Sequence, residues 1–338
     1  MNNKRVFLGI SCFLALGAGF ILGWFLRPTP QPTVQSIREN PLHYTFINPL
    51  LLSDVSPQEN DPQYATLTAK LKKYIQTNEN TGNASDISVY FRDLNSGLWT
   101  GVNENDQYSP ASMLKIVTLI AILLKAESNP ALLTTQVRVP TNTPTFDTKQ
   151  DFYPPTQPLL PGQVYNNNDL LSAMIKESDD NAAVWLDSEI GTSSLARIYD
   201  ELQLPDSTGA AIDFMSPALF SRVFRVLYNS TLLSHSLSNQ TLQLLSETNF
   251  TGGLVSGVPA STTVAHKFGE RTFTTTTGTP LSHELHDCGI VYYPHDPYFI
   301  CVMTKGQSFP ALQKIISDIS AIIWNEARTF DTQNSSGL

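Results

Sequence analysis

The sequence predicts an α+β fold in which an antiparallel sheet is assembled from both ends of the chain, with an all-helical lobe inserted between its halves. Three observations carry this. Short β-type runs come early, at 87–92 and 98–102, and return late, at 263–268, 289–293 and 298–304. Between Ser112 and about Leu245 the apolar residues recur at helical spacing instead. In the closing segment Leu312, Ile315, Ile316, Ile319, Ile322 and Ile323 repeat at the 3.6 period, so one face of a last helix must be covered. Strands, then helices, then strands bring the two chain ends into one sheet and leave a cleft where the lobes meet.

The elements follow in order. Lys4 and Arg5 precede an apolar run from Val6 to Leu26, long enough at about 1.5 Å per residue to cross a ~30 Å hydrocarbon core. A cleavable signal has a shorter apolar region, so residues 1–27 read as a cytoplasmic stub and an uncleaved transmembrane helix. The basic residues on the short side place the remainder outside the cytoplasm. Residues 28–60 begin with Pro28-Thr29-Pro30-Gln31-Pro32, an extended spacer, and include Asn48-Pro49-Leu50-Leu51-Leu52, an apolar patch able to dock on the folded part. The domain proper spans 61–330, opening with a helix that carries Tyr64, Leu67, Leu71 and Tyr74 on one face. Residues 331–338 read as a flexible tail.

Composition narrows the partners. A net charge of -9 opposes nucleic-acid binding, because phosphate neutralisation needs a basic face. Of the three cysteines, Cys12 falls in the apolar run, while Cys288 and Cys301 flank a hairpin turn. Free thiols and a cross-strand disulfide are both open for that pair. His283-Glu284-Leu285-His286 lacks the four-residue helical spacing of a zinc motif, so no metal is expected. His266 reads as a packing residue of its strand.

The chemistry starts at Ser109-Pro110-Ala111-Ser112-Met113-Leu114-Lys115. Of eleven lysines, Lys115 alone has a serine three positions earlier. On a helix those positions share a face, so the amine can sit beneath the Ser112 hydroxyl and take its proton. At a helix start the Ser112 N–H also favours a developing oxyanion. A bland reading makes Ser109 an N-cap and Pro110 the first helical residue, with Lys115 in solvent. Further on, Ser178-Asp179-Asp180-Asn181 interrupts two apolar helices, and Val264-Ala265-His266-Lys267-Phe268-Gly269 is a strand ending in a lysine and a glycine, where a substrate backbone could approach closely.

These three segments, Ser112-x-x-Lys115, Ser178-Asp-Asp180 and Lys267-Phe-Gly269, resemble the ordered motifs of class A β-lactamases and penicillin-binding DD-peptidases. The resemblance covers roughly residues 60 to 330. It implies the two-lobed β-lactamase/DD-peptidase-like fold and a serine acyl hydrolase that needs no cofactor. In that family's manner Ser112 would be the nucleophile, Lys115 its base, Ser178 a proton relay and Lys267 the holder of a substrate carboxylate. The N–H groups of Ser112 and Glu270 would form the oxyanion hole, with Asp180, Asn181, Gly269 and Arg271 lining the substrate. The partner would be a β-lactam or a peptidoglycan stem peptide.

The chain departs from the pattern at three places. Asp180 stands where the family has asparagine, and a carboxylate there favours the ammonium form of Lys115. Phe268 replaces a hydroxyl residue, with Arg271 as a substitute cation. Between Ser178 and Lys267 no glutamate has an asparagine four residues on, so the water-activating residue of class A enzymes is missing. Two further readings therefore stand beside the first: a catalytically weakened wall-binding or interaction module of the same fold, and a Ser-Lys esterase or protease.

Overall fold

The computed structural model describes residues 36–53, 62–139, 152–205 and 214–335. Among them no helix is long and apolar enough to cross a membrane. The run at 6–26, the Pro-rich stretch that follows it and the end of the tail lie outside the described residues.

Strands β1 (Ser36–Arg38) and β2 (Leu50–Ser53) pair antiparallel within the segment expected to be spacer and docking patch. That segment is tied to the domain by main-chain groups: Asn48 N–H donates to the Tyr228 carbonyl and Phe46 N–H to Asn239 Oδ1, while the Tyr292 hydroxyl donates to the Phe46 carbonyl. After it come helix α1 (Ala65–Asn80), β3 (Asp86–Asp93) and β4 (Trp99–Val102). The middle of the chain holds α2 (Lys115–Ser128), the short pair β5 (Gln136–Arg138) and β6 (Val164–Asn166), then α3 (Asn167–Lys176), α4 (Asp180–Ile190), α5 (Thr192–Glu201), α6 (Pro217–Tyr228) and α7 (His235–Leu245). The chain closes with β7 (Val264–Thr274), β8 (Pro280–Val291), β9 (Tyr298–Gly306) and α8 (Phe309–Ser335), which continues into the expected tail.

The main sheet has the order β4-β3-β9-β8-β7, all neighbours antiparallel. Its early and late strands meet between β3 and β9, as the order of elements in the sequence requires. Strand alternation sorts its side chains into two cores. Val89, Phe91, Leu285, Ile300 and Val302 pack toward α1 and α8, while Tyr90, Ile290, Phe299 and Met303 pack toward the helical lobe. Cys288 and Cys301 are direct register partners and form a disulfide.

Local chemistry explains the helix starts that matter for the site. Asn166 and Asp169 form a capping box, each side chain accepting the other's backbone N–H, which launches α3. Asp179 caps α4 by accepting the Ala182 N–H at 2.8 Å. Helix α2 is apolar nearly all round and buried from Lys115 to Leu123, so it forms the axis of the helical lobe. In α8 the periodic Leu312, Ile315, Ile316, Ile319 and Ile323 are buried against the sheet.

Candidate active site

Ser112 lies in the one-turn 3₁₀ helix Ala111–Leu114 that leads into α2. Ser109 does not cap this turn: its N–H donates to Glu284 Oε2 (3.0 Å), its hydroxyl accepts from Arg271 (3.0 Å), and its carbonyl faces His286 Nε2 (3.1 Å). Three residues of β7 and β8 thus grip the segment ahead of Ser112. Ala111 takes a positive φ of 48°, a conformation an alanine holds only when its surroundings impose it. Gly269 belongs to the same clamp. A Cβ there would lie 2.4 Å from the Pro110 carbonyl oxygen, so this glycine permits a close approach of β7 to the chain's own Pro110–Ser112 turn, a contact the sequence had not foretold.

The loop between α3 and α4 brings up Ser178, itself at φ 58° and fully buried. Lys267 Nζ donates to Ser178 Oγ at 2.8 Å, and Lys115 Nζ approaches the same oxygen at 3.3 Å. A lysine on a sheet strand and a lysine on the central helix therefore share one serine hydroxyl. Lys115 Nζ also donates to the Ser178 carbonyl and, at 2.6 Å, to Asp180 Oδ1. Asp179 is consumed as the helix cap, which leaves Asp180 as the carboxylate turned to the amine. Asn181 is buried one residue along α4.

The two lysines stand in unlike surroundings. Lys115 is ion-paired with Asp180, whose side chain is 24% exposed. Lys267 is 0% exposed, and burial, reinforced by the charge of Lys115, pushes its amine well below the ordinary lysine range. Its Nζ sits 4.3 Å from the centre of the Phe268 ring. Phe268 in turn stacks on Phe250 (4.4 Å) and meets Tyr153 edge-on (5.5 Å). Glu270 anchors the Tyr153 side of this cluster, its carboxylate accepting the N–H groups of Phe152 and Tyr153. The Lys267 amine thus lies between the Ser178 hydroxyl and the ring of Phe268, which packs with Phe250 in the core on the α8 side of the sheet.

Ser112 itself lines a pocket of about 390 Å³, together with Lys115, Thr118, Asp180, Asp187 and Tyr199 among others. At its α4 wall the Asp187 carboxylate accepts the Thr118 hydroxyl at 2.8 Å. Burial raises the Asp187 carboxyl above its ordinary value, against the opposing pull of the Thr118 hydrogen bond and the Lys115 charge. His266, on β7, is buried with Nδ1 2.8 Å from Asp287 Oδ1, while His283 and His286 point to opposite faces of β8, onto Thr272 and Ser109 respectively.

Sequence reasoning had named Ser112, Lys115, Ser178, Asp180 and Lys267, and the fold brings these five together. Arg271 lies beside the cluster but is turned onto Ser109. Tyr153, Phe250, Thr118 and Asp187 had gone unremarked. Each comes from a segment with no motif of its own, and only the packing of α2 on α4 and of the 152–153 turn on β7 reveals them.

The comparisons with known proteins agree with this architecture. The profile of the β-lactamase enzyme family matches residues 67–327. No curated protein sequence matches the chain. Among solved structures it is similar to PBP-A (18% identity, TM-score 0.62, covering 81% of this chain and 99% of that one) and to a β-lactamase from Chitinophaga pinensis (19%, 0.64, 76% and 99%). It is also similar to the TLA-3 extended-spectrum β-lactamase (19%, 0.65, 77% and 99%). At such identities the structures speak for the fold, and the matched profile, which spans most of the chain, speaks for descent: this protein belongs to the β-lactamase enzyme family.

Proposed function

We propose that the protein is a membrane-anchored, extracytoplasmic serine acyl hydrolase that forms an acyl-enzyme on Ser112 with β-lactams or D-Ala-D-Ala peptides. The observation that carries this reading is the shared hydroxyl of Ser178, bonded by Lys267 and approached by Lys115 beside the Ser112 turn. The Ser112 oxygen bonds to the carbonyl carbon while its proton passes to Lys115. Ser178 then delivers a proton to the leaving nitrogen as the carbon–nitrogen bond breaks, and is itself recharged from the lysine pair. Water later cleaves the ester, returning the Ser112 hydroxyl and a free acid. The backbone N–H groups of Ser112 and Glu270 serve as oxyanion donors, each worth about 10² or more in rate.

Two features argue that turnover is slow. The Lys115–Asp180 ion pair favours the charged form of the base, and the Lys267 amine that would hold a substrate carboxylate is fully buried, against the Phe268 ring. A PBP-A variant has been solved as its penicillin G acyl-enzyme, which makes a penicillin the natural first probe. Intact mass after incubation should rise by one ligand mass, and Ser112→Ala should abolish the rise with the fold retained; labelling of that variant would refute the assignment. The anchor has its own check: a reporter fused after Leu338 should be active only outside the cytoplasm of a bacterial host, and cytoplasmic activity would overturn that part of the proposal.

A further inference from the structure

The pocket beside Ser112 has a chemical polarity that the motifs do not foretell. Its walls are largely apolar, from Leu114 in the 3₁₀ turn, Val117 on α2, Ala183 on α4, and Leu195, Ala196 and Tyr199 on α5. Three ionised side chains interrupt them. Lys115 and Asp180 neutralise each other at 2.6 Å. The third, Asp187, has a neutral hydroxyl for company, and among the described residues no basic side chain lies within ion-pair range of it. The pocket's lining therefore carries one net negative charge, held on a half-buried carboxylate whose nearest basic group, Lys115, is already paired with Asp180.

Position along the helices gives the pocket a length. Thr118 follows Ser112 by six residues, half of them in the 3₁₀ turn that leads into α2, so the Thr118–Asp187 pair lies about 10 Å further along the helical axis than Ser112. The offset separates two groups that line one pocket, Ser112 at one level and Asp187 at another. It suits the far end of a chain attached to the attacked carbonyl, with the apolar walls along the chain and the carboxylate at its tip.

Resting on the reading of Ser112 as nucleophile, we propose that this pocket receives the acyl arm of the substrate and that Asp187 selects arms ending in a cation. The favoured substrates are acyl donors with an aminoalkyl or guanidinoalkyl chain. Arms ending in a carboxylate are disfavoured by the same charge. Thr118 orients the carboxylate, leaving its second oxygen for the ligand.

The test uses the full chain and two penicillins whose acyl arms match in length, one ending in an ammonium group and one in a methyl group. Second-order acylation rates are followed by intact mass. In the wild type the ammonium arm should react faster by about tenfold or more, the size of one charge-assisted hydrogen bond. Asp187→Asn should bring the ratio of the two rates toward one, and Asp187→Lys should turn it in favour of the neutral arm. A ratio near one in the wild type, or a ratio that survives Asp187→Asn, overturns the inference while leaving the nucleophile in place. Binding of n-pentylammonium to Ser112→Ala, followed by NMR against n-pentanol, gives a readout without acylation. If no penicillin labels Ser112, the nucleophile reading falls and this measurement decides the pocket: ammonium binding that Asp187→Asn removes supports it, and equal binding of ammonium and alcohol overturns it.

Discussion

Replacing Asp180 by asparagine should make acylation faster near neutral pH. Asp180 Oδ1 lies 2.6 Å from Lys115 Nζ, with the lysine side chain 8% exposed and the aspartate 24%. An opposite charge this near stabilises the protonated form by about 1 to 3 pK units. Water at the aspartate screens part of that, so the expected gain in acylation rate at pH 7 is roughly tenfold. Asparagine keeps an oxygen that can accept from the amine. The cost in stability should then be well under the roughly 3–5 kcal/mol of breaking a fully buried ion pair, because Lys115 can shed its proton. Stopped-flow acylation by a chromogenic cephalosporin across pH 6 to 10 measures the effect, with circular dichroism to verify the fold. The gain should shrink only at pH values above those at which the variant's amine has lost its proton, because the ion pair holds the wild-type amine charged to higher pH. An Asp180→Asn protein that is folded yet acylates no faster at pH 7 would show that Lys115 is not the base, and would turn attention to Lys267, whose buried amine is already pushed toward neutrality.

Phe268→Thr should expose Lys267 and admit a substrate carboxylate. It removes a fully buried ring stacked on Phe250, at a stability cost of about 3 kcal/mol, so thermal melting should drop while acylation by a penicillin gains on its carboxylate methyl ester. No change in the acid-to-ester ratio would mean that the aromatic cluster does not control access. Asp187→Asn should raise the melting temperature at pH 7. The folded carboxyl is raised above its ordinary value of 3.8, so the native state holds its proton more tightly and wild-type stability falls as pH rises from about that value through the raised one. The difference between variant and wild type should therefore vanish in acid, and a variant less stable than wild type at pH 7 would contradict the direction of the shift.

The sequence alone determined the class of fold, because alternation and helical periodicity are local properties that burial enforces segment by segment. The periodic face of α8, the early strands at 87–92 and 98–102, and the helical middle are all legible in the chain. So are Ser112, Lys115, Ser178, Asp180 and Lys267, since short-range spacing and the order of three motifs suffice to name them. What the chain could not state is how distant segments meet. The pairing of Cys288 with Cys301 depends on the register of β8 against β9. The assignment of Asp179 to a helix cap and Asp180 to Lys115 depends on where α4 begins. The close contact of Gly269 with the Pro110 turn arises because β7 passes against the segment that carries Ser112. The pocket's charge at Asp187 and the aromatic cluster beside Lys267 are likewise products of packing, in which residues without a motif acquire chemistry from neighbours remote in sequence.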